Sequence, residues 1–249
     1  MNWPLSPWET AWCAFAIALG YAARAISGFG AGVIATPLLA FVLPLPVTVP
    51  LITVLGMFAG LRQIARDWRM VEWRRIATFV PGSLVGVALG LYLFTSLDQV
   101  MLARALGVYI LGYALYSLFG RNVAQRKPAM PHWIVHPISA IGGLVATIFG
   151  GLAGAIYATY LDALGLSKGA FRVTMSATLL VLALVRSVGY AATGVFKPED
   201  LVLIAASIIP LALGTIVGDR LHDRLRPTAF RRAVGVLLVA SGAGLLVIH

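Results

Sequence analysis

Arg186 lies in the middle of an apolar stretch, with Leu179 to Val185 before it and Gly189 to Val195 after it. Arg62 occupies the like place 124 residues earlier, in Leu61-Arg62-Gln63-Ile64, and Arg24 sits in Ala23-Arg24-Ala25-Ile26 just ahead of a glycine-rich run. A guanidinium at the centre of a lipid-embedded helix costs about 2.5–3.5 kcal/mol on insertion scales, so it needs a partner or a water-filled cavity. It is permanently charged, and its planar fork matches the oxygens of a small oxyanion. The chemistry these residues offer is anion binding inside a membrane. The plainer alternative is an arginine that snorkels to the interface or pairs within a helix bundle. For Arg62, about a turn from a basic loop, that alternative weighs at least as much.

Glycines form the second group. Gly28, Gly30 and Gly32 interrupt one apolar stretch; Gly150, Gly151 and Gly154 interrupt another. Glycine at a helix break permits positive φ and close backbone approach. The half-helix that restarts after the break presents free N–H groups and a positive dipole end to an anion. Ordinary small-xxx-small helix packing is the competing explanation, and it is the one adopted for Gly86 with Gly90 and for Gly214 with Gly218. Tyr157, Thr159 and Tyr160 follow the second break, where the first has Ala35, Pro37 and Leu38. They are candidates to hydrogen-bond an asymmetric site, against the alternative of aromatic anchors at the interface. Asp162 is a candidate proton carrier, or a group at a segment end that faces water. Thr174, Ser176 and Thr178 are expected to satisfy carbonyls one turn back. His132 and His136 lack carboxylate company, so no metal site is expected, and no cofactor.

The elements that carry these residues repeat. Gly28, Ala31, Gly32, Ile34 and Leu39 recur 122 residues later as Gly150, Ala153, Gly154, Ile156 and Leu161. Gly86, Gly90, Arg104 and Gly107 recur at a spacing of 128 as Gly214, Gly218, Arg232 and Gly235. Two halves with an interrupted apolar segment at matching places are the sequence pattern of a secondary transporter.

Composition agrees. Of 249 residues 60% are hydrophobic and only 11% charged, against about 25% charged in a soluble domain. The mean hydropathy of +0.91 marks an integral membrane protein with almost no extramembrane domain. The net charge of +10 resides in short connections, the pattern of loops beside anionic lipid, so nucleic acid is not an expected partner. Cys13 alone allows no intramolecular disulfide, and residues 1–10 lack the basic start of a cleavable signal.

Apolar segments are expected near 10–27, 29–44, 48–66, 74–95, 99–120, 133–149, 151–165, 169–193, 200–219 and 228–248, giving 8–10 membrane segments in an all-α fold. The second and seventh are short: either short crossings or returning arms of re-entrant hairpins. The chain reads as a single transmembrane transporter domain over 1–249, with repeat 1 at 10–120, repeat 2 at 133–249 and a linker at 121–132. Basic clusters at Arg66, Arg69, Arg74 and Arg75, at Arg121, Arg126 and Lys127, and at Arg220, Arg224, Arg226, Arg231 and Arg232 are placed inside the cell. Each half then crosses an odd number of times, so the repeats are expected to be inverted, with both termini outside.

The arrangement resembles the TauE/SafE family, also called the 4-toluene sulfonate uptake permease family. The resemblance rests on Ser27-Gly-Phe-Gly-Ala-Gly-Val-Ile-Ala-Thr-Pro37, on Phe149-Gly-Gly-Leu-Ala-Gly-Ala-Ile-Tyr-Ala-Thr159, and on the basic connection ending Val71-Glu72-Trp73. Ala31 interrupts the first glycine run and Leu152 with Ala153 the second, while Thr159 stands where the first half has Pro37. The resemblance implies movement of sulfite, organosulfonates or related sulfur-containing anions across the bacterial inner membrane. An inside-negative potential drives anions outward, and intramembrane acids are few (Asp162, then Asp219), which favours export. A membrane enzyme is not expected, because no His and carboxylate cluster is visible. A channel, or a transporter of a carboxylate, an amino acid or a metal cation, is the alternative. The expected partners are a small anion and the lipid bilayer; a homodimer is compatible with the sequence.

Overall fold

A computed structural model describes residues 5–28, 30–119, 134–221, 235 and 238–245. All regular structure among them is helical: α1 (Pro7–Ser27), α2 (Ala31–Leu39), α3 (Leu45–Asp67), α4 (Trp73–Ser96), α5 (Gln99–Phe119), α6 (Val135–Phe149), α7 (Gly154–Ala163), α8 (Lys168–Ala192) and α9 (Pro198–Leu221). Residues 238–245 are helical too. The linker at 121–132, and with it Arg121, Arg126 and Lys127, lies outside the described residues, as do Arg224, Arg226, Arg231 and Arg232.

Local chemistry fixes the helix starts. Ser6 caps α1 reciprocally with Glu9, and Pro7 occupies the first turn, where its missing N–H costs nothing. The Asp98 carboxylate accepts from the N–H of Met101 at the start of α5, and the Ser167 hydroxyl accepts from Ala170 at the start of α8. Two breaks have a different origin. At the end of α1, Gly28 (φ 83°) donates back to the Arg24 carbonyl and Gly30 (φ 97°) precedes α2. At the end of α6, Gly150 (φ 62°) and Gly151 (φ 22°) lead into α7. Side chains rarely tolerate these backbone angles.

The helices after the breaks are short. At nine and ten residues, α2 and α7 are about 14–15 Å long, half of a bilayer core of about 30 Å. Neither crosses by itself. Every residue of α2 is buried, so protein rather than lipid surrounds it.

Four helices among the described residues are long and apolar enough to cross a membrane: α3 with its appended 3-10 turn (Trp68–Met70), α4, α8 and α9. Their outward faces are apolar as well, with Val188 70% and Ile209 67% exposed, which suits lipid and not water. The chain is a multi-pass α-helical membrane protein.

Small residues set the packing. On α4, Gly82, Gly86 and Gly90 lie against α6, and a Cβ at Gly90 would stand 2.7 Å from that of Thr147. On α9, Gly214 lies against Ala18 and Gly218 against Ala22 of α1. Both pairs run parallel and use the small-xxx-small approach. In contrast α3 and α8 run antiparallel, since Gln63 meets Ser176 while Met57 meets Ser187. Arg66, Arg69, Arg74 and Arg75 share one end of the bundle with the start of α8, where Gly169 meets Met70.

Candidate functional site

The two glycine breaks meet. A Cβ on Gly32, in the first turn of α2, would stand 2.7 Å from the Cα of Gly151. Beside that contact lies a cavity of about 30 Å³ lined by Arg24, Arg186, Gly30, Gly32, Thr53 and Gly151 among others. Gly30 opens α2 without a side-chain cap, and the first helical bond is Ile34 to the Gly30 carbonyl. The N–H groups of Ala31 and Gly32 therefore start the helix with no partner within it, at its positive end.

Arg24 reaches this place from the last turn of α1 and is only 7% exposed. Glycines on α3 make room for it: side chains at Gly56 and Gly60 would meet its Nη1 and Nη2 at 3.6 and 3.5 Å. Its Nη2 is buried and has no hydrogen-bond partner. A buried guanidinium nitrogen left unpaired is costly and calls for an acceptor.

Arg186 is 3% exposed but differently employed. Its Nε donates to the Leu182 carbonyl at 3.3 Å and its Nη1 makes a short contact with the Ala146 carbonyl. Next to it the Tyr190 hydroxyl donates to the Thr147 carbonyl at 2.6 Å. Ala146 and Thr147 belong to the last turn of α6, whose carbonyls the Gly150 break leaves without helical partners. Arg186 and Tyr190 thus cap the negative end of a broken helix while Arg186 also faces the cavity.

A wider cavity of about 200 Å³ adjoins the first, sharing Tyr21 and Arg24, and lies towards the basic end of the bundle. Arg62 stands here, its side chain 59% exposed, paired at 3.2 Å with Asp219 of α9. Arg172 of α8 approaches the same carboxylate at 4.0 Å. Gly28 packs on Arg172, whose Cγ a Cβ at Gly28 would meet at 2.9 Å.

The structure therefore brings Arg24, Arg186, Gly30, Gly32 and Gly151 together, sets Arg62 at the outer cavity and packs Gly28 on Arg172. Gly150 abuts Val49 and Thr36, and Gly154 begins α7. Tyr157 is fully buried away from the cavity. Its hydroxyl pairs with Ser83 at 3.0 Å and the Ser139 carbonyl at 3.2 Å, and its ring packs edge-on to Phe79. Tyr160 packs edge-on to the same Phe79, and Thr159 is exposed. The side chain of Asp162 lies outside the described residues, as does His132. Of the α8 hydroxyls only Thr178 bonds a carbonyl one turn back; Ser176 bonds Gln63, and Thr174 accepts from the Glu72 N–H. The sequence pattern did not single out Tyr21, Thr53, Gly56 or Arg172. Tyr21 and Arg24 lie three residues apart on one helix face, a signal open to inspection.

No solved structure matches this chain. It is 29% identical over 196 residues to the probable inner membrane transporter protein TsaS of Comamonas testosteroni, covering 78% of this chain and 81% of that protein. The model of the Sulfite exporter TauE/SafE family matches residues 13–245, nearly the whole chain, and the protein belongs to that family.

Proposed function

We propose that this protein is a permease that carries small sulfur oxyanions, sulfite or organosulfonates, out across a bacterial inner membrane by alternating access. One observation carries the reading: Arg24, whose buried Nη2 has no hydrogen-bond partner, lines a cavity within the bundle that Arg186 and the uncapped start of α2 also line. Two cations and a helix N-terminus in one enclosed space suit an oxyanion and repel a metal cation. The protein does no chemistry on the solute.

Helix contacts support an inverted repeat. Exchanging α1–α4 with α6–α9 turns the α1·α9 pair into α6·α4, the α1·α2 pair into α6·α7 and the α3·α9 pair into α8·α4, all of which pack together. The α3·α8 pair maps onto itself. With the basic end inside the cell, the first hairpin enters from outside and the second from inside. The wider cavity then faces the cytoplasm. In the conformation described the inner cavity is closed down to about the size of a water, so an anion enters it only as one repeat rocks against the other and not through an open pore. That favours a carrier over a channel. Export runs downhill at about 2.3 kcal/mol per charge per 100 mV of inside-negative potential, with no coupled ion required.

The test is flux of radiolabelled sulfite and ethanesulfonate in proteoliposomes. Wild-type protein should show potential-driven efflux and counterflow, and Arg24→Ala should abolish both while remaining inserted. Undiminished flux in Arg24→Ala, or flux without counterflow, would reject the carrier as drawn.

A further inference from the structure

The outer cavity holds an arrangement that the inner site does not explain. Four arginines, Arg24, Arg62, Arg66 and Arg172, line it against two aspartates, Asp67 and Asp219. The two carboxylate oxygens of Asp219 address different arginines: Oδ2 is 3.2 Å from Arg62 Nη2, and Oδ1 is 4.0 Å from Arg172 Nη2. Those arginines come from α3 and α8, and Asp219 comes from α9. The Arg172 Nε is buried and has no hydrogen-bond partner. One carboxylate thus bonds Arg62 and stands within ion-pair reach of Arg172, which has a donor to spare.

A sulfonate or sulfite offers the same feature as the Asp219 carboxylate, several oxygens on one centre, with one more oxygen to give. The ion pair is weakly held, since Arg62 is 59% and Asp219 36% exposed and water screens both. Arg172 is held more firmly. Its carbonyl accepts from Gln63, which also bonds Ser176, and its stem rests on Gly28. Arg172 is therefore positioned, while the pairing of Arg62 with Asp219 is loose and replaceable.

We propose that the outer cavity is a second anion station, at which Asp219 is the resident counter-ion that an incoming oxyanion displaces from Arg62 and Arg172. A sulfur oxyanion from the cytoplasm replaces the carboxylate first and then passes to Arg24, which borders both cavities. Asp219 returns to the two arginines behind it and keeps them from holding the anion back. Asp219 sets affinity by competing with the substrate, so it is a specificity-tuning residue and not a proton carrier. This inference rests on the reading of the inner cavity as an anion site.

The experiment is equilibrium binding of radiolabelled sulfite to the purified full-length protein, kept anaerobic, with Asp219→Asn, Arg172→Gln, their double variant and Arg24→Ala. Losing an exposed competing carboxylate should tighten sulfite binding about two- to fivefold in Asp219→Asn. Arg172→Gln should weaken it by a like factor, and in the double variant the gain from Asp219→Asn should vanish. Arg24→Ala should still bind sulfite at the outer station. Sulfite affinity unchanged in Asp219→Asn, or an equal gain with Arg172 absent, would overturn the second station and leave the proposed function standing. Complete loss of binding in Arg24→Ala would do the same. No sulfite binding by the wild type would remove both. If Asp219→Asn fails to fold, the comparison of Arg172→Gln with Arg24→Ala decides, since the station requires residual binding that depends on Arg172.

Discussion

Replacing Arg24 by Met exchanges a guanidinium for an unbranched apolar chain, with opposite effects on stability and on anion binding. Arg24 is 7% exposed and its Nη2 lacks a partner, so removing it relieves a desolvation penalty of about 1–3 kcal/mol for one unsatisfied buried donor. Against this, a cation is lost from the last turn of α1, worth about 0.3–1 kcal/mol beside the helix dipole. The balance is a stabilisation of about 1–2 kcal/mol, or an apparent Tm higher by about 2–8 °C for a chain of this size. Function should move the other way. Sulfite at 100 times its Kd for the inner site should stabilise the wild type by about 2.7 kcal/mol through that site, and Arg24→Met should lose this contribution while keeping whatever smaller shift the outer station gives. Thermal unfolding in detergent with and without sulfite measures both. An Arg24→Met variant that melts earlier than wild type, or that keeps the full wild-type sulfite shift, would make Arg24 a structural residue and refute the reasoning.

Arg186→Met should behave in the opposite way. It removes the bond that caps the Ala146 carbonyl of α6 and the bond to the Leu182 carbonyl of α8, two hydrogen bonds to a charged group worth about 1.5–3 kcal/mol each, so Tm should fall together with flux. Gly32→Ala should separate the two hairpins, because its Cβ would fall 2.7 Å from the Gly151 Cα. Overpacking of about 1–3 kcal/mol is expected, with flux lost and helicity by circular dichroism retained. Tyr157→Phe removes the bonds to Ser83 and the Ser139 carbonyl. It should lower stability by about 1 kcal/mol and leave the half-saturation constant for sulfite unchanged, as transport kinetics would show.

The helices were legible because their cause is local. Apolar runs separated by short polar and charged connections place most ends within a few residues. The short arms α2 and α7 were ambiguous from sequence, since a run of apolar residues does not say where helical φ and ψ begin again. Gly30, itself at φ 97°, delays the start of α2 to Ala31. Burial of Arg24 and Arg186 could be anticipated from apolar flanks. Their partners could not, because these depend on which helix lies opposite: Gly56 and Gly60 admit Arg24 only once α3 crosses it. Tyr157 drew notice as a polar group after a break, but the rotation of α7 about its axis turns the hydroxyl into the α4–α6 seam. Arg172 went unnoticed near the start of α8, where sequence alone reads a loop charge. The antiparallel packing of α8 on α3 brings it to Arg62 and Asp219.

The most direct test is anomalous diffraction from crystals of the protein soaked in selenite, which has the shape and charge of sulfite. A selenium peak is expected between the Arg24 guanidinium and the backbone of Gly30 to Gly32, with the chain broken at Gly28 and Gly150. Unbroken helices at those glycines, or a soaked site with selenium only on lipid-facing surfaces, would contradict the claim that two interrupted helix pairs form a cationic pocket.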